Sequence, residues 1–359
     1  MTNDKSLQQS IKSVAKTRPR AIVLMYHRVN DLRPDPWTLA VSPANFAEQL
    51  EVAQSLGEPT SLRALADMLR TDNLPTKGKI PIVFTFDDGY ADNFEFALPL
   101  LEKYQIPATV FVTAGLVESK REFWWDEIER IFLQPNVLPE NLELIIGQQI
   151  YRWKLNKNYS PPEFESDKNW NCVIDENLNP TLRHVIYREL FDLLRLLPNL
   201  ARDQILSQIL IWSQLDDQKE HALNDNYFLC ARADRRMMSR HELKTMACSK
   251  FVEIAAHTLT HPVLSALTRD EQRSEIADSK KVLEEIIGKP VAGFAYPNGF
   301  PADFTLETVE IVSTAGFEYA CAAFEALLTA ETDVFQLPRV MVRNWCGASF
   351  RDALQNYLL

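Results

Sequence analysis

The sequence has few of the features that mark secreted, membrane-spanning or nucleic-acid-binding proteins. Its five cysteines are scattered and odd in number, so neither a disulfide framework nor a thiolate zinc site is predicted. No apolar run approaches the length of a membrane span. Positive charge is scarce, because 38 Lys and Arg face 49 Asp and Glu, giving a net charge of −11. This balance argues against nucleic acid or an anionic membrane surface as a partner.

The N-terminal residues also lack the apolar segment of a signal peptide. We expect residues 1–19 to form a flexible arm and the protein to be cytoplasmic. The 359 residues are 46% hydrophobic and 24% charged, which is typical of a soluble globular protein with an ample core. Residues 20–359 are expected to form one catalytic domain, interrupted by an insertion at about 120–235. The sequence does not indicate an oligomeric state.

Short apolar runs alternate with segments of helical periodicity in the two outer parts of the chain. This alternation predicts βαβ units and a parallel sheet. The expected strands are Ala21–Met25, Ile82–Phe86, Ala108–Thr113, Val252–Ala255, Gly293–Tyr296 and Tyr319–Ala322. The expected helices are Phe46–Leu56, Leu62–Leu69, Phe94–Tyr104, Arg269–Ile287 and Leu306–Ala315.

The middle of the chain has a different pattern. Leu142–Ile146 and Gln149–Leu155, divided by Gly147, predict a β-hairpin. Helices are expected at Thr181–Leu196 and Ala201–Gln214, and a polar loop at Glu165–Asn179. The basic run Arg232–Arg236 is interpreted as a solvated face or a boundary of the insertion.

Two adjacent carboxylates, Asp87 and Asp88, follow the apolar run Ile82–Phe86 in the stretch FTFDDGY. Neighbouring side chains of a strand point to opposite faces, and two close like charges raise each other's pKa. A solvated Asp-Gly turn is the simple alternative. If the pair is buried, a cation is the obvious group to relieve the repulsion.

A pair of histidines, His257 and His261, follows the predicted strand Val252–Ala255 in the stretch HTLTH. A spacing of four places both rings on one face of a helix, and a tight turn can do the same. Ligands of α/β folds gather at the carboxyl ends of strands. Two imidazoles and a carboxylate would leave an open position on Zn²⁺ or a similar ion.

Three further strand ends carry polar residues, although each alone would be unremarkable: YHRV at 26–29, FAYPNG at 294–299 and LPRV at 337–340. Together and in this order, the motifs resemble the polysaccharide deacetylase family, carbohydrate esterase family 4. TFDDG at 85–89 resembles its first motif, HTLTH at 257–261 its second, and FAYPNG a variant of its third. The early Tyr-His-Arg-Val stretch is similar to a subset with a permuted arrangement.

The resemblance implies a distorted (β/α) barrel of about seven strands. It also implies metal-dependent removal of N-acetyl groups from an amino sugar or glycan precursor by metal-activated water. Asp88, His257 and His261 resemble the metal ligands of one divalent ion, Zn²⁺ with Co²⁺ or Ni²⁺ as alternatives. Asp87 resembles the catalytic base, and the backbone N–H of Tyr296 resembles a donor to the tetrahedral oxyanion.

The sequence departs from the family pattern at two points. The arginine of the third motif is missing near Ala295, and Arg339 is predicted to supply its charge and contact Asp87. No histidine follows His261, so His27 is predicted to be the general acid, with its ring facing the metal without binding it. A structural pair of Tyr26 and His27 is the alternative.

Substrate binding is assigned to Trp124, Trp125 and Asn298. Aromatic faces beside a site stack on sugar rings, although a tryptophan pair more often belongs to a core. Two other functions remain open from the sequence. One is hydrolysis of a non-sugar, cyclic amide. The other is a non-catalytic glycan-binding module, but the presence of all three predicted metal ligands and the predicted base argues against it.

Overall fold

The computed structural model describes residues 21–75, 77–155, 158–173, 180–213, 220–223 and 226–358. The predicted arm at 1–19 lies outside these residues. In chain order the strands are β1 Ile22–Tyr26, β2 Arg28–Val29, β3 Ala40–Val41, β4 Glu58–Pro59, β5 Pro81–Phe86, β6 Ala108–Val112, β7 Asn136–Val137, β8 Asn141–Ile146, β9 Gln149–Lys154, β10 Asn158–Tyr159, β11 Glu220–Leu223, β12 Asn226–Leu229, β13 Val252–Ala256, β14 Gly293–Ala295, β15 Tyr319–Cys321 and β16 Val340–Met341.

The main sheet is parallel and curls into a distorted barrel. Its order is β15-β14-β13-β6-β5-β1-β16, with the short β4 also paired to β5. A bridge between Cys321 and Leu337 joins the chain before β16 to β15, which brings the two outer strands together. The predicted fold class, a distorted (β/α) barrel of about seven strands, is confirmed.

Helices surround this sheet and make up much of the middle region. In chain order they are α1 Pro43–Leu56, α2 Leu62–Arg70, α3 Leu98–Tyr104, α4 Trp124–Phe132, α5 Pro161–Asp167, α6 Leu182–Leu194, α7 Asn199–Ser213, α8 Arg240–Cys248, α9 Arg269–Ile287, α10 Leu306–Thr314 and α11 Gly347–Leu358. Serine side chains cap α1 and α2: Ser42 accepts a hydrogen bond from the backbone N–H of Asn45, and Ser61 accepts one from that of Ala64.

The period of two along the strands divides the core between the two faces of the sheet. Ile82, Phe84 and Phe86 of β5 pack against the outer helices, whereas Val83 belongs to a separate cluster inside the barrel. Continuing the second row leads through Thr85 to position 87. Because the side chains of β5 alternate between its two buried faces, Asp87, the first residue after the strand, points into the barrel.

The middle region builds a hydrophobic cluster of its own. Strands β8 and β9 form the predicted antiparallel hairpin, in register from Asn141–Lys154 to Ile146–Gln149. This cluster joins residues of α4, α6 and α7 with Tyr90 and Met237 at the barrel. The division into a barrel and an insertion at about 120–235 stays a prediction.

One local prediction in this region is wrong. Residues 165–167 lie in α5 rather than in a polar loop, because Ser160 and Glu163 form a capping box and prolines occupy the first turn. Residues 174–179 lie outside the described part of the chain.

The basic run at 232–236 is not a solvated face. Arg232 contacts the carboxylates of Glu122 and Glu129, each at 2.8 Å. Arg235 is 2% exposed and lies 3.4 Å from Glu129. The carboxylates that pair with these arginines come from a segment about 100 residues earlier, so the sequence shows a charge run where the structure has buried ion pairs.

Among the helices of the described residues, none combines the length and apolar character that a membrane span requires.

Candidate active site

Asp87 and Asp88 stand at the carboxyl end of β5 and are both buried. The chain turns sharply here, because Asp88 and Gly89 both have positive φ, 75° and 86°. A Cβ on Gly89 would lie 2.9 Å from a methyl of Val112, so the turn requires glycine. The turn directs the two carboxylates to different partners, and these partners relieve the repulsion between the neighbouring charges.

His257 and His261 lie in a tight loop after β13, not on a helix. Thr258 and His261 adopt left-handed conformations, with φ of 62° and 60°. The Thr258 hydroxyl accepts a hydrogen bond from the backbone N–H of His261 at 3.0 Å, which closes the loop. The two imidazole rings are therefore 4.8 Å apart between centroids. Such strained backbone at adjacent polar residues is typical of functional sites.

The two imidazoles converge on Asp88. Their Nε2 atoms lie 3.6 Å (His257) and 3.4 Å (His261) from one carboxylate oxygen. One ligand atom from each of the three residues lies within 4.8 Å of the others. The Nδ1 atom of His257 is 2.8 Å from the carbonyl of Ala295, which fixes Nδ1 as the protonated nitrogen and leaves Nε2 as a donor atom. One carboxylate and two imidazoles form a donor set suited to zinc or a similar ion.

The electrostatics of this cluster favour a ligand state. Burial lowers the pKa of His257 to about 4, although the nearby carboxylates of Asp87 and Asp88 oppose this. Burial alone would raise the pKa of Asp88, but hydrogen bonding to His261 and the neighbouring imidazoles hold it well below its usual range. The cluster thus combines a neutral imidazole with an ionised carboxylate, the forms that bind a cation.

Asp87 points into the barrel and meets Arg339. Both terminal nitrogens of Arg339 donate to the two carboxylate oxygens, each at 2.7 Å, and Nε donates to the carbonyl of Ala322 at 2.7 Å. The expected contact between these residues is present. Burial alone would raise the pKa of Asp87, but the guanidinium of Arg339, together with His257 and His27, lowers it overall. Arg339 is 1% exposed, so the fork is held rigidly.

His27 follows β1 and lines the same pocket as Asp87, Asp88 and the histidine pair. Asn93 holds its backbone, donating from Nδ2 to the His27 carbonyl at 2.9 Å. Within the described residues its Nδ1 is buried and has no hydrogen-bond partner. Burial lowers the pKa of His27, while the carboxylates of Asp88 and Asp87 oppose the shift. Its ring therefore belongs to the pocket, and its role there stays a prediction.

The structure contradicts the oxyanion role predicted for Tyr296. Its backbone N–H donates to the carbonyl of Cys321 at 3.1 Å, because the pairing between β14 and β15 continues one residue further. Its hydroxyl donates to the carbonyl of Phe335 at 2.9 Å and its ring stacks on Phe304. Tyr296 is a core residue. Asn298, two positions later, lines the pocket with φ of 59°, and its backbone N–H has no acceptor among the described residues.

Trp124 and Trp125 open α4 and both line the pocket, although they are 7% and 8% exposed. The ring of Trp125 meets His261 edge to face at 4.9 Å between centroids. Its indole N–H donates to the Tyr90 hydroxyl, which donates to Asp126 at 2.6 Å. The two tryptophans therefore pack in the core and also expose a small area to the pocket. Both interpretations of the pair from the sequence, a core position and a sugar contact, are compatible with this placement.

The pocket above the cluster has a volume of about 340 Å³. The sequence did not indicate that six other residues line this pocket: Trp37, Arg188, Phe191, Asp192, Arg195 and Arg343. Four of these belong to α6 and the turn after it, at spacings of three and four residues. That spacing was the available signal, but it does not show which side of a helix faces a pocket.

Comparisons with known proteins show which family and which fold the chain resembles. A family model for polysaccharide deacetylases matches residues 75–140 and 213–320. A stretch of 109 residues is 27% identical to YxkH of Bacillus subtilis (strain 168), whose name assigns it to the polysaccharide deacetylases. This stretch is 30% of the present chain and spans 37% of the length of YxkH.

Solved structures share the fold over nearly the whole chain. The deacetylase PplD of Streptococcus pyogenes, in complex with acetate, is 17% identical with a TM-score of 0.52, covering 94% of this chain and 98% of PplD. IcaB from Ammonifex degensii is 18% identical with a TM-score of 0.54, covering 95% of this chain and 98% of IcaB. At these identities the likeness establishes the fold alone.

Proposed function

We propose that this chain, which belongs to the polysaccharide deacetylase family, is a metal-dependent hydrolase that removes N-acetyl groups from an amino sugar or glycan precursor. The observation that carries the proposal is the separation of the two adjacent aspartates. Asp87 is paired with Arg339, and Asp88 is grouped with His257 and His261 beside a pocket of sugar size. The two carboxylates therefore have different tasks.

Asp88, His257 and His261 would hold the divalent ion, Zn²⁺ with Co²⁺ or Ni²⁺ as alternatives. When bound, such an ion supplies positive charge that polarises the acetyl carbonyl and lowers the pKa of water. The Ala295 carbonyl supports this assignment, because it orients His257 as a second layer of contacts does in metal sites.

Asp87 is proposed as the general base that takes a proton from the attacking water. A base must be ionised and correctly aimed, and the paired hydrogen bonds from Arg339 favour both. Arg339 does not reach the substrate in this role and acts by positioning Asp87.

His27 is proposed as the general acid that protonates the departing amine, because an amide nitrogen is otherwise a poor leaving group. His27 lines the pocket, and its buried Nδ1 has no hydrogen-bond partner among the described residues; both observations support this role. The backbone N–H of Asn298 replaces Tyr296 as the proposed donor to the oxyanion, since it lies in the pocket without a protein acceptor. Trp124 and Trp125 are proposed to contact the sugar.

An acetate-release assay on purified, zinc-loaded protein tests the proposal, with N-acetylated chito-oligosaccharide as the substrate and hydantoin as a cyclic amide. The wild type should release acetate. Asp87→Asn should retain zinc but lose about 10²–10⁴-fold in turnover, because only the base is removed.

Two results would contradict the proposal. Hydrolysis of hydantoin without acetate release would favour the cyclic-amide alternative. Binding of the oligosaccharide with no hydrolysis of either compound would favour a non-catalytic module. The cytoplasmic location stays an expectation of the sequence.

A further inference from the structure

The outer wall of the pocket carries several charged side chains that the proposed chemistry does not use. Arg188, Asp192 and Arg195 lie three to four residues apart along α6 and the turn after it. Arg343, which follows β16, lines the same pocket. Their charges are not equally compensated, and the difference indicates what this wall can bind.

Arg343 is half-buried and has no carboxylate partner in the described part of the chain. Its Nη1 donates to the backbone carbonyls of Trp37 at 2.8 Å and Thr38 at 3.0 Å. Burial lowers the pKa of Arg343, although the more distant carboxylates of Asp35 and Glu325 oppose this. A half-buried cation without a counter-ion is costly unless a ligand supplies the opposite charge.

Arg188 is exposed at the pocket wall and makes no ion pair with any residue that the structure describes. Asp192 stands one turn further along α6, yet the two side chains do not form an i,i+4 ion pair. The guanidinium of Arg188 is therefore available to a ligand in the pocket.

Two other arginines at or beside the pocket have carboxylate partners. Arg195 pairs with Asp303 at 2.6 Å, and Arg339 pairs with Asp87. Asp88 is grouped with the two histidines. Within the described part of the chain, Arg188 and Arg343 lack a carboxylate partner and Asp192 lacks a cationic one, so these three side chains together carry a net positive charge. The protein as a whole has a net charge of −11.

We propose that Arg188 and Arg343, here called the cationic wall, bind an oxyanion carried by the acetylated sugar, either a phosphate or a carboxylate. The guanidinium fork matches both groups geometrically. Phe191, between Arg188 and Asp192 on the same helix, contacts Trp37 and Trp124 at 4.2 and 5.0 Å between ring centroids and offers an apolar surface beside the wall. This inference rests on the proposed function and narrows its substrate to anionic sugars.

Calorimetric titration of the zinc-loaded full chain tests the cationic wall. N-acetylglucosamine 1-phosphate should bind about tenfold more tightly than N-acetylglucosamine, and 0.5 M salt should remove most of the preference. N-acetylmuramic acid, the same sugar with a carboxylate, distinguishes the two oxyanions. A preference for either anionic sugar over N-acetylglucosamine supports the inference. The sugar that binds more tightly shows whether the wall prefers a phosphate or a carboxylate.

Single variants locate the effect. Arg188→Gln should weaken binding of the preferred anionic sugar about fivefold and leave N-acetylglucosamine unchanged, whereas Asp192→Asn should strengthen the anionic sugar. Arg273→Gln is the matched control, because Arg273 is an exposed helical arginine on α9 that pairs with Asp270 and does not line the pocket. Equal affinity of the wild type for neutral and anionic sugars, or the same loss in the control, would overturn the inference.

Acetate release from neutral tetraacetylchitotetraose separates this inference from the function beneath it. That oligomer has no anionic group, so its hydrolysis depends only on the proposed catalytic residues. Hydrolysis of this oligomer together with equal affinity for neutral and anionic sugars would support the proposed deacetylase function and contradict anion binding by the cationic wall.

Discussion

The barrel and the region between residues 120 and 235 contribute to one pocket in different ways. In the barrel, Asp87, Asp88 and His257 follow directly on strands whose neighbours fix the backbone on both sides. In the other region, the exposed Arg188 reaches the pocket from α6, a helix whose buried side chains, including Tyr187 and Leu190, pack into the cluster of the middle region. The barrel therefore holds the proposed reacting groups in a narrow geometry, whereas an exposed helix position such as Arg188 can change without disturbing the backbone.

The two parts also treat buried charge differently. Asp87 has one rigid partner, Arg339, and both serve the proposed chemistry. Glu122, Asp126 and Glu129 share the arginines of the 232–236 run and stabilise the junction with the barrel. Substitutions in the barrel should thus change turnover more than folding, and substitutions at the junction should do the opposite.

The largest effect is expected for His257→Ala. Removing one of three ligand atoms from the cluster should abolish stoichiometric zinc and lower turnover by more than about 10³-fold. Metal analysis and circular dichroism should show an empty site in a folded protein. Full zinc occupancy in this variant would show that the ligand assignment is wrong.

His27→Ala should have the next largest effect. Zinc content and substrate binding should be preserved while turnover falls by about two to four orders of magnitude, because only the proton donor is lost. The measurement is kcat and KM for acetate release alongside metal content. Near-normal kcat would remove His27 from the mechanism.

Arg339→Lys should have a smaller effect on turnover. Lysine keeps the charge but cannot make paired hydrogen bonds, so Asp87 loses its fixed orientation. We expect kcat to fall about 10–100-fold with little change in KM, which distinguishes positioning of the base from substrate binding. A change confined to KM would contradict the positioning role.

Asp126→Asn should change turnover least and instead alter the pH dependence of stability. Burial raises the pKa of Asp126 to about 7, although Arg235 and Arg28 oppose it. A carboxyl group with a raised folded-state pKa contributes stability that is present below its unfolded pKa and is lost as pH rises through about 7.

The unfolding free energy of the wild type, relative to Asp126→Asn, should therefore fall by about 2–4 kcal/mol between pH 4 and pH 8. Urea unfolding of both proteins at several pH values measures this difference. A difference independent of pH would show that Asp126 remains ionised in the folded protein.

Local patterns in the sequence predicted the parallel sheet, and the resemblance of its motifs to the polysaccharide deacetylases implied the barrel. The same short motifs marked most of the residues that the structure brings together in the candidate site. The strand ends carry their polar residues in short motifs, and the missing arginine near Ala295 pointed to Arg339. The oxyanion role predicted for Tyr296 was wrong for a local reason as well. The pairing between β14 and β15 continues one residue past β14 and uses the backbone N–H of Tyr296.

The rest depends on distant parts of the chain. The sequence gives no signal that Glu122 and Arg232 meet, or that α6 turns Arg188 and Phe191 towards the pocket. Such contacts arise from the packing of separate helices, which hydrophobic periodicity does not specify beyond the buried face of each one.

The contact between Asp87 and Arg339 joins residues 252 positions apart in the chain. It exists only when β16 has paired with β1, at Leu24 and Val340, and the sheet has curled round. Contacts of such long sequence separation form late, because the entropy of closing a long loop is lost before they can stabilise the fold. During refolding, helices and individual strand pairs can therefore be complete while Asp87, the proposed base, still lacks its guanidinium partner. Recovery of the proposed activity should then follow closure of the barrel rather than the return of secondary structure.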